Sequence, residues 1–248
     1  MCEVCGCGDP NLTGPGHVHG APAHGAGATS IEVHASLLAD NDHQAQHLRE
    51  HFLEERVLAL NIMGSPGSGK TALLEATASA LRGRLRLAAV SGDLATALDA
   101  ERLARAGVTS GPITTGSACH LDAAMVHHAL HDERLGAAAR ACDVFFIENV
   151  GNLVCPAIYD LGQRANIVVL SVTEGVDKPL KYPVMFRKAD LVVLSKVDLL
   201  PHLPGVSIAA LRENLARVMP SARALEVSAT TGAGIAEFIA WLDERRLK

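Results

Sequence analysis

The chain has 248 residues, 48% of them hydrophobic and only 3% aromatic, which suffices for one α/β domain of roughly 200 residues plus an extension. A formal net charge of −5 gives no electrostatic basis for binding nucleic acid. No apolar run approaches the roughly 18–20 residues that span a bilayer.

The N-terminal segment carries three thiols, Cys2, Cys5 and Cys7, within a stretch rich in Gly, Pro and Ala. It lacks the basic-then-apolar order of a signal peptide, so we expect a cytoplasmic protein with reduced thiols. Residues 1–30 are predicted to be a flexible metal-binding arm, because three thiolates without a core of their own form an open site. With one nitrogen ligand, they suit square-planar Ni²⁺ or tetrahedral Zn²⁺.

Helical and apolar segments then alternate along the rest of the chain. Residues 31–56 are predicted to form an N-terminal helical segment. Strands are predicted at 57–63, 85–90, 143–147, 167–172, 191–194 and 224–227, and helices at 71–81, 95–106, 121–134, 208–218 and 235–244. The strand candidates are continuous Val/Ile/Leu runs, which indicates strands covered on both faces. We therefore predict an α/β fold with a doubly wound, mostly parallel sheet flanked by helices.

A complete Walker A phosphate loop follows the first of these strands and opens a helix. Its eight residues are Gly64, Ser65, Pro66, Gly67, Ser68, Gly69, Lys70 and Thr71. Backbone amides of such a glycine-rich loop bind phosphate oxygens at the positive end of the helix. Lys70 is predicted to neutralise the β- and γ-phosphates, and Thr71 to ligate Mg²⁺.

The base is predicted to be guanine, which makes the nucleotide GTP. Ser195-Lys196-Val197-Asp198 resembles the guanine-recognition motif Asn-Lys-x-Asp, and one carboxylate accepts both guanine N1–H and the exocyclic amine. Adenine would leave Asp198 unpaired, at a cost of about 1.5–3 kcal/mol for a hydrogen bond to a charged group. Ser195 replaces Asn, which weakens the support of the loop. Ser228 and Ala229 resemble the loop that contacts guanine O6.

Three acidic residues are candidates for the magnesium and water site. Glu148 ends an apolar strand three residues before Gly151, as in a Walker B and switch II arrangement. Asp93 is a second candidate and Asp99 a weaker third, since an Asp after a strand is often only a helix cap. Asn152 stands where the Ras-like pattern has a water-orienting Gln, so slow intrinsic turnover is predicted.

A second candidate metal site comprises Cys119, His120 and Cys155. Cys155 lies four residues past Gly151, so nucleotide state would alter the ligand geometry if switch II folds toward Cys119. Cys142, which directly precedes a strand, is interpreted as a core thiol.

The other histidines are interpreted mainly as helix-surface residues. Spacing of i, i+4 relates His43, His47 and His51, and also His127 and His131. His17, His19 and His24 in the arm are at most weak metal ligands.

Together these motifs resemble the hydrogenase nickel-incorporation GTPase family, HypB. The matching segments are MCEVCGCG at 1–8, GSPGSGKT at 64–71, GDLAT at 92–96, TGSACHL at 115–121, ENVGNLVCP at 148–156 and DKPLKYP at 177–183. The resemblance implies a P-loop GTPase domain over 57–248 and a GTP-dependent homodimer. It implies nickel or zinc at Cys119, His120 and Cys155, and Lys178 reaching nucleotide across the dimer. It also implies delivery of nickel to the [NiFe]-hydrogenase large subunit with a zinc-containing partner, HypA.

Two other classes share parts of this pattern. A urease-type nickel GTPase has the same fold, but the three N-terminal thiols and the Cys119–His120 pair argue against it. A P-loop kinase or ATPase with a zinc-binding arm would need an acceptor-substrate motif, and the sequence shows none.

Overall fold

The computed structural model of the chain describes residues 30–219 and 223–246, with side chains from residue 35 onward. The strands in these ranges are β1 Leu58–Met63, β2 Leu87–Asp93, β3 Thr109–Thr114, β4 Val144–Glu148, β5 Ala165–Ser171, β6 Leu191–Ser195 and β7 Arg223–Val227. They form one sheet in the order β3-β2-β4-β1-β5-β6-β7, and all six neighbouring pairs are parallel. The doubly wound parallel sheet predicted from sequence is confirmed.

Helices cover both faces of this sheet. They are α1 Ser30–Glu54, α2 Lys70–Leu81, α3 Leu98–Arg105, α4 Ala123–Ala129, α5 Glu133–Ala141, α6 Lys178–Lys181, α7 Pro183–Arg187, α8 Ile208–Val218 and α9 Ile235–Arg246. Short 3-10 helices occur at Cys155–Ala157, Val172–Glu174 and Val197–His202. Within the described residues, no helix combines the length and apolar character needed to cross a membrane.

The core follows from the alternation of side chains along each strand. Phe145 and Phe146 of β4 are both buried but belong to clusters on opposite faces. Phe146 packs with residues of α2, α3 and α9, whereas Phe145 packs with α1, α4 and α5. Phe52 of α1 lies 5.3 Å from the Phe145 ring. Each buried Phe contributes about 1.5–3 kcal/mol, so α1 is held firmly against the sheet.

The structure differs from the predicted elements at β3, at the helix predicted over 121–134, and at the short helices α6 and α7, which were not predicted. The edge strand β3 was not predicted, because Gly111 and Pro112 are typical of a turn; Pro is tolerated there because an edge strand has one unpaired side. The helix predicted at 121–134 is wrong as a single element. Asp122 caps α4 by accepting from Met125 N, and Asp132 caps α5 by accepting from Leu135 N, so the chain forms two helices.

Candidate nucleotide and metal site

The phosphate loop connects β1 to α2 at the carboxyl edge of the sheet, where ligands bind in open α/β folds. Gly64 has a φ of +150°, and a Cβ added there would lie 2.3 Å from the Val169 carbonyl oxygen, so only glycine fits. Among the described side chains, the Ser68 hydroxyl is buried without a hydrogen-bond partner. An unpaired buried hydroxyl in this turn is suited to donate a hydrogen bond to a phosphate oxygen.

Lys70, the first residue of α2, lies across the phosphate loop. Its Nζ donates to the carbonyl oxygens of Gly64 at 3.3 Å and Ser65 at 3.2 Å. Burial lowers the pKa of Lys70, and the nearby negative charge of Glu148 partly offsets that effect. The ammonium is thus positioned at the mouth of the loop, where phosphate charge would accumulate.

Glu148, at the end of β4, is buried beside Thr71. The Thr71 hydroxyl donates to Glu148 Oε1 at 2.6 Å, and the Ser91 hydroxyl donates to Oε2 at 3.3 Å. Burial raises the pKa of Glu148 to about 7, against the opposing hydrogen bond from Thr71 and the charge of Lys70. The hydroxyl and the carboxylate form an adjacent pair of oxygen donors, the type that Mg²⁺ prefers.

Asp93 ends β2 and lines a cavity of about 490 Å³, which Thr71 and Glu148 also line. Its Oδ1 accepts from the amides of Ala95 at 2.9 Å and Thr96 at 3.0 Å, and these bonds lower the pKa of its carboxyl. Asp99 also lines this cavity, where it pairs with Arg102 at 3.2 Å. The cavity is lined by residues 66, 67, 69–72, 92–94, 99, 102, 148–151 and 196.

The candidate guanine loop lies against the phosphate loop. The Ser195 hydroxyl donates to the Ser68 carbonyl oxygen at 2.5 Å, and Lys196 Nζ donates to the Gly67 carbonyl oxygen at 2.6 Å. Lys196 adopts a left-handed conformation with a φ of 60°. Asp198 follows in the 3-10 helix Val197–His202. The contact from Ser195 shows that this hydroxyl ties the two loops together in place of the usual Asn.

Ser228 and Ala229 follow β7, and β7 pairs with β6 so that Val227 lies opposite Ser195. Ser228 is fully buried, and its hydroxyl accepts from the amide of Thr231 at 3.1 Å. The loop after β7 therefore begins beside the loop that carries Asp198.

A thiol–imidazole cluster is formed by Cys119, His120 and Cys155. Their ligand atoms are all within 4.8 Å of one another. The Sγ atoms of Cys119 and Cys155 are 3.0 Å apart, and Cys119 Sγ lies 3.8 Å from His120 Nδ1. The two cysteines are not joined by a disulfide bond. The arrangement offers two sulfur ligands and one imidazole nitrogen to a borderline metal ion.

The surroundings of His120 favour the neutral imidazole that binds metal. Its ring stacks on Tyr159 with a centroid distance of 3.9 Å and an interplanar angle of 19°. Burial lowers the pKa of His120, and the charge of Asp122 offsets this only in part. At neutral pH the ring is therefore unprotonated and available as a ligand.

The loop that carries Cys119 and His120 is tied to the nucleotide side of the sheet by Leu121. The Leu121 amide donates to Oδ1 of Asn149 at 3.1 Å, and Asn149 directly follows Glu148 in the sequence. A Cβ added at Gly92 would lie 2.8 Å from Leu121 Cδ2, so β2 also packs closely against this loop.

The segment that carries Cys155 is tied to the phosphate loop. The Asn152 amide donates to the Gly64 carbonyl oxygen at 3.1 Å. A Cβ added at Gly151 would lie 2.8 Å from the Pro66 backbone, so these two backbones are in direct contact. Both parts of the thiol–imidazole cluster are thus linked mechanically to residues around the nucleotide cavity.

Four polar residues of this region were missed by the sequence analysis. Ser91 contacts Glu148, and Glu174 accepts a hydrogen bond from the Ser65 hydroxyl. Asn61 and Asn149 form a buried amide pair. Polar residues inside otherwise apolar strands, such as Asn61 and Ser91, were the available signal.

The remaining candidates lie apart from the cavity or outside the described residues. Lys178 Nζ lies 5.2 Å from the centroid of the Tyr182 ring in the same chain. Lys178 does not line the nucleotide cavity of this chain. Cys142 is buried, its thiol donates to the Ala139 carbonyl oxygen, and burial raises its pKa to about 12. The predicted arm site of Cys2, Cys5 and Cys7 lies outside the described residues.

Comparisons with known proteins agree with this arrangement. Residues 58–226 match the family model of the CobW/HypB/UreG nucleotide-binding domain. The chain is 50% identical over 216 residues to the hydrogenase maturation factor HypB of Rhizobium leguminosarum bv. viciae, covering 86% of this chain and 70% of that protein.

Two solved structures are similar at the level of the whole fold. The crystal structure of HypB from Helicobacter pylori in complex with nickel aligns with a TM-score of 0.79 and 41% identity, covering 84% of this chain and 95% of that one. HypB from Archaeoglobus fulgidus aligns with a TM-score of 0.76 and 39% identity, covering 84% and 100%. The chain therefore belongs to the HypB family of hydrogenase maturation factors.

Proposed function

We propose that this protein is a GTP-hydrolysing nickel metallochaperone that delivers nickel to [NiFe]-hydrogenase during maturation. The observation that carries the proposal is the clustering of Cys119, His120 and Cys155 on two loops tied to the nucleotide cavity. Family membership supports the hydrogenase role over a urease-type GTPase or a P-loop kinase.

Guanine recognition is assigned to the loops after β6 and β7. Asp198 would accept from guanine N1–H and the exocyclic amine, and the Ala229 amide would donate to O6. Lys196 and Ser195 hold their loop against Gly67 and Ser68, so the base and phosphate subsites are fixed relative to each other.

Hydrolysis is assigned to the carboxyl edge between β1, β2 and β4. Thr71 and Glu148 would hold Mg²⁺, with Asp93 able to orient its water shell; the ion supplies charge neutralisation at the β- and γ-phosphates. Lys70 would bind the same phosphate oxygens, and the Gly151 amide would contact the γ-phosphate. Asn152 directs its backbone amide to Gly64 and no Gln follows Gly151, which supports slow intrinsic turnover.

Nickel is the cargo proposed for the thiol–imidazole cluster. Two thiol sulfurs and one imidazole nitrogen are the soft and borderline ligands that suit Ni²⁺. Zn²⁺ is the alternative ion for the same ligands, and Cys2, Cys5 and Cys7 would form a second site on the arm.

A GTP-dependent homodimer is proposed to cover the cluster. Val154 and Ile158 flank Cys155 in sequence, and both expose large apolar side chains, 48% and 41% respectively. Such residues beside a three-ligand site suit a surface that a second copy would bury and complete. In that dimer Lys178 would reach the nucleotide of the other subunit. HypA and the hydrogenase large subunit are the proposed cytoplasmic partners.

The test is a Ni²⁺ titration of a variant in which Cys2, Cys5 and Cys7 are replaced by Ala, with GDP or a non-hydrolysable GTP analogue. We expect a nickel site whose affinity differs between the two nucleotides and which Cys155→Ala removes. Cys142→Ala is the matched control, because it removes a buried thiol outside the cluster. Equal affinity with both nucleotides would remove the coupling from the proposal.

A further inference from the structure

Half of the histidines of this chain lie on one surface, where α1 packs against α4. Five are exposed and His51 is half-buried. This histidine surface comprises His43, His47 and His51 on α1, and His127, His128 and His131 on and just after α4. The nucleotide cavity and the thiol–imidazole cluster use none of these residues.

Two pairs on this surface bring imidazole rings into contact. The rings of His43 and His47 are 4.6 Å apart at 80°, and those of His127 and His131 are 4.8 Å apart at 88°. On a helix, residues at i and i+4 have Cβ atoms about 5–6 Å apart, so His43 and His47 can direct one nitrogen each to a shared ion at about 2.1 Å. His131 follows the end of α4, and its ring lies about as close to that of His127.

The charge environment also suits metal ligands. Burial lowers the pKa of His127, and the positive charges of His131, His51, His47 and His128 lower it further. Neutral imidazole is the form that binds Ni²⁺, Zn²⁺ or Cu²⁺, so this lowering favours His127 as a ligand.

We propose that the histidine surface binds borderline divalent cations through two chelating pairs, His127–His131 and His43–His47. Among the described residues, three close metal ligands occur together at the thiol–imidazole cluster and not on the histidine surface. Solvent would therefore complete the coordination sphere of an ion bound by each histidine pair. His120 lies in the loop before α4 and His127 lies in the last turn of α4, so the two kinds of site are at opposite ends of this helix. The proposal needs only the imidazoles and is independent of the proposed function.

The test uses the full-length protein and Ni²⁺ alone, with each histidine read separately. Diethyl pyrocarbonate acylates exposed imidazoles, and mass spectrometry gives a rate for every one. We expect acylation of His127, His131, His43 and His47 to slow about tenfold when Ni²⁺ is present at about ten times its dissociation constant. His202 is exposed on a different element and serves as the internal control.

Variants distinguish chelation from general binding. His131→Gln should abolish protection of His127 while leaving the His43–His47 pair protected. His128→Gln is the matched control and should leave both pairs protected, as should Cys119→Ser, which disables the thiol–imidazole cluster. Protection of His127 that survives His131→Gln, or slowing of His202 equal to that of the pairs, would overturn the proposal.

Discussion

The backbone amide of Leu121 donates to the side chain of Asn149, which joins the Cys119–His120 loop to the residue after Glu148. Asn149 is 1% exposed, and its amide nitrogen donates to Asn61 at 3.2 Å. Asn61 donates in turn to Asn166 at 3.0 Å. This chain of amides runs from the end of β4 across β1 to β5. Buried polar chains with satisfied partners fix one arrangement, so Asn149 positions the loop that carries Cys119 and His120.

Asn149→Ala should weaken nickel binding at the thiol–imidazole cluster roughly tenfold, because Leu121 loses its anchor. It should also lower the free energy of unfolding by about 1–3 kcal/mol, since the Asn61 and Leu121 partners become unsatisfied. Nickel titration and urea unfolding measure the two effects. Asn214→Ala is the control, because the Asn214 amide donates to the Val176 carbonyl oxygen and not to the loops that carry the cluster. Unchanged nickel affinity in a destabilised Asn149→Ala protein would refute the positioning role.

Glu148→Gln should change how stability depends on pH. Burial raises the pKa of Glu148 to about 7, so the folded state holds a proton that the unfolded state releases near pH 4.5. Folding stability is therefore lost as pH rises from about 4.5 to 7, by up to about 3 kcal/mol for this group. Gln has no such proton, so the stability of the variant relative to wild type should increase between pH 5 and pH 8. Urea unfolding at both values, without magnesium or nucleotide, measures the difference. A constant offset would contradict the raised pKa.

Asp198→Asn should exchange the preferred base. The amide cannot accept from both guanine N1–H and the exocyclic amine, and we expect GTP affinity to fall by about 1.5–3 kcal/mol, or roughly 10- to 150-fold. Xanthine has a carbonyl in place of that amine, so the variant should bind xanthosine triphosphate better than wild type does. Competition binding against a fluorescent nucleotide measures both. Equal loss of affinity for every base would place Asp198 outside the base site.

The strands and the phosphate loop were predictable because their signals are local. Continuous apolar runs mark the buried strands, and the eight-residue loop occurs between a strand and a helix in sequence as in the structure. The edge strand β3 escaped because Gly111 and Pro112 resemble a turn, and the break between α4 and α5 depends on the cap at Asp132. Such features are decided by neighbours in space rather than by local pattern.

The thiol–imidazole cluster was only partly predictable for the same reason. Cys119 and Cys155 are 36 residues apart, and their meeting depends on loops after β3 and β4, which are separated in the sheet by β2. The sequence supplied the three ligands as a hypothesis. It did not supply Asn149 or Asn61, whose roles arise from hydrogen bonds between strands.

Gly151→Ala tests whether contact between switch II and the phosphate loop couples the two sites. The added Cβ would lie 2.8 Å from Pro66 Cα and N, and backbone atoms cannot yield as a side chain can. The segment from Gly151 to Cys155 must then move away from the loop. We expect nickel affinity to become insensitive to the choice between GDP and a GTP analogue.

Gly111→Ala is the matched control for this variant. Its Cβ would lie 2.9 Å from Leu135 Cδ2, the flexible end of a side chain on α5 that can rotate away. That protein should keep the nucleotide dependence of nickel binding. Because both variants add one methyl group at a close contact, loss of coupling in Gly151→Ala alone locates the coupling at Pro66. If the nickel affinity of the Gly151→Ala protein still depends on the nucleotide, the contact with Pro66 does not couple the two sites, and the hydrogen bond between Leu121 and Asn149 is the remaining link.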